Sequence, residues 1–232
     1  MGSIYLIRHG QASFGAADYD VLSSVGVRQA QVVGAHLAAL GVRFDRCLAG
    51  TLRRQQDTAR LALAELGEAP ALETDPAFDE FDAEGLVRGL LPLLLVNEPQ
   101  ALEVMRNAAL NRNEFQRLFA LLVEHWLDGS RDPAGLEGWA GFLGRVEAGL
   151  QRVLDNAAKG DNVAIFTSGG VITALLHLIT GMPASRAFEA NWQIVNTSLS
   201  VLKFRGREVS LASFNSDTHL QLTRAPELLT WR

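Results

Sequence analysis

Hydrophobic and polar positions along the chain follow two textures. Ile4-Tyr5-Leu6-Ile7 is apolar on both faces, the pattern of a central strand in a covered sheet. It predicts a strand over residues 3–9 that ends at Gly10. Ser23 and Ser24 are N-cap candidates for a helix running to Leu40 and closed by Gly41, with Val25, Val32, Leu37 and Leu40 as its apolar side. Residues 46–49 read as a second strand, 52–66 as a helix closed by Gly67, and 71–74 as a third strand. From about 80 to 138 the texture is helix-like, broken at Pro92, Pro99 and Pro133, with one long or two shorter helices across 100–127. The first texture then resumes: helix over 136–158, strand over 162–167, and a helix over 169–180 stopped by Gly181 and Pro183. Residues 197–205 and 208–215 read as a hairpin around Gly206.

Strands alternating with helices argue for an α/β fold with a mostly parallel sheet. Ligands of such folds bind beyond the carboxyl ends of the strands. Three strand ends therefore stand out: Arg8-His9-Gly10, Gly50-Thr51, and Thr167-Ser168-Gly169-Gly170. The length of 232 residues suits one large domain, or one domain carrying an insertion. Hydrophobic residues at 48% and charged residues at 20% describe a globular chain rather than a disordered one. The net charge of −5 lacks the basic footprint of a nucleic-acid binder, so no nucleic-acid partner is expected. A local basic pocket for a small anion stays compatible with that balance. The lone Cys47 forms no internal disulfide and reads as a small buried hydrophobe. The opening MGSIYLIRHG is unlike a signal peptide, and the apolar run at 89–96 is far too short to span a bilayer. The expectation is a cytoplasmic chain with no membrane partner.

The central chemical signal is Arg8-His9-Gly10. Gly10 lets the backbone turn sharply and approach a ligand. A strand end holds His9 in place, and a neutral imidazole is a competent nucleophile when its other nitrogen is pinned by a hydrogen bond. Arg8 supplies a planar fork for phosphate oxygens. The same triplet also describes a strand-end histidine that only bonds a loop carbonyl.

The wider sequence decides between these. Leu6-Ile7-Arg8-His9-Gly10-Gln11 resembles the opening motif of the histidine phosphatase (phosphoglycerate mutase-like) superfamily. Leu22-Ser23-Ser24-Val25-Gly26-Val27-Arg28-Gln29-Ala30 is similar to that family's L-T-x-x-G-x-x-Q-A segment, and the stretch from Leu52 to Ala59 to its L-x-R-A-x-Q-T-A helix start. The stretch from Asp75 to Asp82 resembles the family's acid-bearing segment, that from Val163 to Ile172 its last major motif, and Asn196-Thr197-Ser198 and Asn215 to Leu220 its tail. The matches run nearly end to end in order.

The resemblance implies a three-layer sandwich with a mostly parallel central sheet and a helical cap insertion at about 86–139, all within one domain over 1–232. It implies that His9 accepts a phosphoryl group, that Arg8 and Arg54 clamp its oxygens, and that Glu80 protonates the leaving oxygen and then activates water. Arg53 is the neighbour to be told apart from Arg54; counting back from Thr58-Ala59 selects Arg54. Asp82 is the fallback for Glu80, and Gln11, Ser168, Gly169 and Gly170 are expected to contact substrate.

One departure matters. The family carries a second histidine in an H-G-G motif where this chain has Ser168-Gly169-Gly170. Serine donates a hydrogen bond but no charge. The Gly169 and Gly170 N–H groups at a helix start partly offset that loss. His219, beside Asp217, is a candidate stand-in; His36, His125 and His177 read as surface or packing residues. No cluster has metal-ligand spacing, so neither metal nor cofactor is expected. The expected substrate is a small phosphorylated metabolite, with specificity residing in the cap, and a second copy of the chain is a candidate partner. Three activities follow from the resemblance: a phosphomonoesterase, a catalytically impaired binder of phosphorylated ligands, and a phosphoglycerate mutase-type transferase.

Overall fold

The computed structural model describes residues 1–13, 20–107, 111–129 and 135–231. In chain order its elements are β1 (Gly2–Arg8), α1 (Ser24–Ala39), β2 (Arg46–Ala49), α2 (Arg53–Ala64), β3 (Leu72–Thr74), α3 (Ala83–Leu94), α4 (Ala101–Arg106), α5 (Arg112–Asp128), α6 (Trp139–Asn156), β4 (Asn162–Thr167), α7 (Gly169–Thr180), α8 (Ala184–Asn191), β5 (Leu199–Arg205), β6 (Glu208–Ser216) and α9 (Thr218–Gln221). Short 3-10 turns occupy Pro76–Phe78 and Pro226–Leu228.

The strands form one sheet in the order β3-β2-β4-β1-β5-β6. β3, β2, β4 and β1 are mutually parallel, and β5 runs antiparallel to both its neighbours. The fold is therefore the mostly parallel α/β sheet that the alternation predicts. One face is covered by α1 and α2: Val33, Leu37, Ala59, Ala62 and Leu63 pack on Ile7, Cys47, Ala49, Ala164 and Phe166. Gly34 makes the α1–α2 contact close, because a side chain there would stand 2.3 Å from the carbonyl of Ala62. On the other face, Ile172, Leu175 and Leu176 of α7 meet Leu6, Leu202 and Leu211 around a small apolar gap.

The apolar side of α1 departs from the sequence reading. Ala30, Val33 and Leu37 are buried, whereas Leu40 is 63% exposed at the C-cap. Val25 and Val32 are only partly buried, against Val195, Leu220 and Leu228 near the C-terminus. The helix touches the sheet on one side and the chain's end on another, so its apolar residues divide between two clusters.

The contacts divide the chain into two compact units, one of Met1–Glu80 with Val146–Arg232 and one of Phe81–Arg145. The second is organised around Trp126, which is buried with its ring 4.9 Å from Phe81, 5.4 Å from Trp139 and 5.7 Å from Phe142. Its indole N–H donates to the carbonyl of Glu137 at 2.9 Å, so its one polar group is satisfied. Pro92 does not break the chain as expected; it lies inside α3. It falls in the last turn on an exposed side, and the carbonyl it leaves unbonded belongs to Arg88, also exposed, where water can serve. Among the described residues, the range 100–127 holds two helices, α4 and α5. Pro133 lies outside the described residues. Helix α8, which begins after Pro183, was not foreseen. Among the described residues no helix is long and apolar enough to cross a membrane.

Candidate active site

Parallel pairing sets Arg8 beside Thr167 and Ala49 beside Phe166. The three strand ends singled out in the sequence therefore meet at one sheet edge. His9 continues β1 by donating its N–H to the carbonyl of Thr167 at 2.8 Å, and its carbonyl accepts from Asn196 Nδ2 at 3.0 Å. Gly10 then turns the chain. Its N–H donates to Thr58 Oγ1 at 2.9 Å, and a side chain on it would stand 2.5 Å from the carbonyl of Gly26. Thr197, whose N–H donates to the carbonyl of Arg8 at 3.0 Å, sits at φ 59°, a strained conformation for a β-branched residue. Strand, helix start and tail thus hold the His9 backbone from three sides.

The imidazole is buried, 3% exposed. Its Nδ1 lies 2.7 Å from the carbonyl of Gly10. A carbonyl only accepts, so Nδ1 carries the hydrogen and Nε2 carries the lone pair. Arg54 Nε donates to that Nε2 at 3.2 Å. The His9 pKa is held well below its usual value near 6.5, first by burial, then by the Arg54 and Arg8 cations, against an opposing contribution from the Gly10 bond. The ring is uncharged at neutral pH.

Arg54 is set by Asp20, whose Oδ1 lies 2.7 Å from Arg54 Nη1. The other Asp20 oxygen accepts the Arg53 backbone N–H at 2.7 Å, completing the start of α2, where Leu52 provides no side-chain cap. The Arg53 side chain is 61% exposed and lies 3.4 Å from Asp57. Arg54 reaches His9, whereas Arg53 pairs with Asp57 at an exposed position.

Arg8 donates through Nη1 to the carbonyl of Ile194 and through Nη2 to that of Trp231 at 3.1 Å. Its Nε faces Gly169, where a Cβ would lie 3.8 Å away. Glu80 Oε2 accepts the Gly170 N–H at 3.2 Å, which places this carboxylate at the start of α7. Asp82, the fallback, caps α3 by accepting from Gly85 N at 2.7 Å. Ser168 is fully buried, and its Oγ accepts from Gln55 Nε2 at 2.8 Å. Gln11 Oε1 accepts from Ser23 Oγ at 2.8 Å.

His219 is buried with its pKa lowered to about 4, by burial first and then by His36, whose ring centroid is 5.5 Å away. Its Nε2 lies 3.4 Å from Thr197 Oγ1. His177 Nδ1 contacts the carbonyl of Met182 at 2.6 Å, at the far end of α7. Among the described residues no group of three His, Cys, Asp or Glu side chains could hold a metal ion.

Four residues of this site were not singled out from the sequence: Asp20, Gln55, Thr58 and Asn196. Thr58 and Gln55 lie in the helix-start motif and Asn196 in the tail motif, which is a signal of place but not of role. Nothing in the pattern marks Asp20.

The family model described as the histidine phosphatase superfamily (branch 1) matches residues 4–92 and 103–217. A 2,3-bisphosphoglycerate-dependent phosphoglycerate mutase of Methylobacterium sp. (strain 4-46) is 29% identical over 191 residues, covering 77% of this chain and 81% of that protein. The crystal structure of phosphoglycerate mutase from Bacillus anthracis str. Sterne superposes with a TM-score of 0.66 at 19% identity, over 96% of each chain. The alpha-ribazole phosphatase from Shigella flexneri superposes with a TM-score of 0.61 at 23% identity, over 92% of this chain and 96% of that one. At these identities the two structures speak to the fold.

Proposed function

The chain belongs to branch 1 of the histidine phosphatase superfamily, and from that premise we propose that it is a metal-independent phosphomonoesterase acting on small phosphorylated molecules through a phosphohistidine at His9. The observation that carries this reading is the state of the imidazole. Nδ1 is pinned at 2.7 Å by the Gly10 carbonyl, and Nε2 keeps a lone pair that faces Arg54 Nε at 3.2 Å. A guanidinium that reaches the nucleophilic atom is within reach of any phosphoryl group bonded to it.

In the first step Arg54 Nε passes from Nε2 to a phosphoryl oxygen, the freed Nε2 lone pair forms a bond to phosphorus, and the P–O bond to the leaving group breaks. Glu80 gives its proton to the departing oxygen. In the second, Glu80 takes a proton from water, the oxygen bonds to phosphorus, and the P–N electron pair returns to Nε2. Arg54, Arg8, the Ser168 hydroxyl and the Gly169 N–H stabilise charge on the equatorial oxygens, while the Gly170 N–H, expected from the resemblance to contact substrate, is engaged by Glu80. The contact with Gly170 at the start of α7 supports Glu80 rather than Asp82, whose contact is with Gly85 of α3. By the sequence resemblance, Ser168 takes the place of the family's second motif histidine, a neutral donor in place of a charged one.

The test is hydrolysis of a generic phosphate ester in the presence of a chelator. The expected result is turnover that is insensitive to the chelator and lost in His9→Ala. Robust turnover by His9→Ala would refute the reading. Phosphoryl transfer between hydroxyls is a second reading, favoured by the name of the Methylobacterium relative; isomerisation of a phosphoglycerate without net phosphate release would select it. Binding without turnover is a third, favoured by the neutral Ser168; it predicts saturable phosphate binding and no phosphohistidine.

A further inference from the structure

Gln55 lies on the first turn of α2, next to Arg54, and is fully buried. Its amide nitrogen has two hydrogens and both are used. One goes to the carbonyl of Phe78 at 2.9 Å and the other to Ser168 Oγ at 2.8 Å. This fixes the amide's orientation, because a flipped amide would set its oxygen against the Phe78 carbonyl. The oxygen Oε1 instead faces Gly50, where a side chain would stand 1.9 Å from it. Only glycine at position 50 leaves room for this arrangement. The Phe78 carbonyl also accepts from Thr167 Oγ1 at 2.7 Å. One buried amide therefore joins the start of α2, the segment that carries Glu80, and the end of β4.

The consequence falls on Ser168. A serine hydroxyl has one hydrogen and two lone pairs. Gln55 occupies a lone pair and leaves the hydrogen available to another acceptor. The hydroxyl makes no capping bond to a backbone N–H of α7, although Ser168 is the N-cap residue. Its neighbours in sequence, Gly169 and Gly170, face Arg8 and Glu80.

We propose that Gln55 is a positioning residue: it holds the Ser168 hydroxyl as an acceptor so that its proton is presented to an oxygen of the phosphoryl group on His9. This deepens, and rests on, the phosphatase reading above. A neutral donor is worth most when it needs no reorientation as charge develops. With Gln55 on one lone pair, the hydroxyl hydrogen is confined to the remaining positions; released, it rotates among all three staggered ones.

The test is a double-mutant cycle between Gln55→Met and Ser168→Ala, read through kcat, KM and the inhibition constant of vanadate. Methionine keeps the length of glutamine and removes both donors. Each single change is expected to weaken vanadate about tenfold and to lower kcat by roughly ten- to a hundredfold, with KM changed by less than about threefold. The double variant is expected to match Ser168→Ala alone, because Gln55 acts on the site through that hydroxyl and the Phe78 carbonyl keeps its Thr167 Oγ1 donor. Losses that multiply would overturn the proposal, as would a Gln55→Met protein with wild-type vanadate affinity. If Gln55→Met does not fold, Gln55→Leu closes the same cycle. Acid-labile phosphate on wild-type His9 is scored separately. Its absence beside a coupled vanadate cycle removes the hydrolytic reading alone. Its presence beside multiplying losses removes the role of Gln55 alone. A wild-type protein without vanadate affinity removes both.

Discussion

Replacing Arg54 by alanine has two consequences that the geometry separates. The first is on rate. A phosphoryl group on Nε2 stands about 4 Å from the guanidinium, where opposite charges near a protein surface interact by about 4 kcal/mol at an effective dielectric of about 20. Loss of that interaction from the transition state corresponds to roughly a thousandfold in kcat/KM. The second is on pH. Arg54 is the leading charged group, after burial, that lowers the His9 pKa. In the proposed mechanism the neutral imidazole is the reactive form, so activity falls as pH drops through that pKa. In the wild-type protein the fall lies well below pH 6.5; in Arg54→Ala the His9 pKa rises and the acid limb moves up. The assay is kcat/KM for a chromogenic phosphate ester from pH 4 to 8, beside Arg53→Ala. Arg53 has a side chain 61% exposed and pairs with Asp57, so its loss should cost less than about threefold. An Arg54→Ala enzyme within tenfold of wild type, or one whose acid limb stays in place or moves down, refutes the reasoning.

Two further outcomes follow from the same hydrogen bonds. Thr58→Val keeps the side-chain shape but leaves the buried Gly10 N–H without its acceptor, and should lower stability by about 1–3 kcal/mol in chemical denaturation; a change under about 0.3 kcal/mol would show that this bond matters little. Glu80→Gln removes the proposed proton donor, so it should lower kcat/KM, which reports the phosphorylation step, much more for an alkyl phosphate than for a nitrophenyl phosphate, whose leaving group needs no proton; equal losses of kcat/KM on both substrates would argue against Glu80 as the acid.

The parts of this molecule that could be read from the sequence are those encoded over short distances. The helix Gly169–Thr180 is bounded as its Ser-Gly-Gly start and Gly181 stop indicate, and the β5–β6 hairpin turns at Gly206, which has φ 57°. The strand ends that form the site follow from the alternation of elements, because a parallel sheet brings carboxyl ends to one edge. What escaped depends on contacts made far along the chain. Asp20 meets Arg54, Gln55 meets Ser168, and Asn196 meets His9; no local pattern records such pairings. The exposure of Leu40 and the helical place of Pro92 escaped for a related reason. Periodicity assigns a residue to a face, but only the packed neighbours determine whether that face is covered and whether a freed carbonyl reaches water.

The account rests on an uncharged His9 that offers Nε2 to phosphorus while Nδ1 keeps its hydrogen for the Gly10 carbonyl. Rapid mixing with a phosphodonor, followed by quenching in base and ³¹P NMR of the trapped protein, reads this directly. The predicted result is an acid-labile, base-stable phosphohistidine with the shift of the Nε2 isomer, absent from His9→Ala. A phosphoryl group on Nδ1, on another residue, or on none during measurable turnover would contradict it.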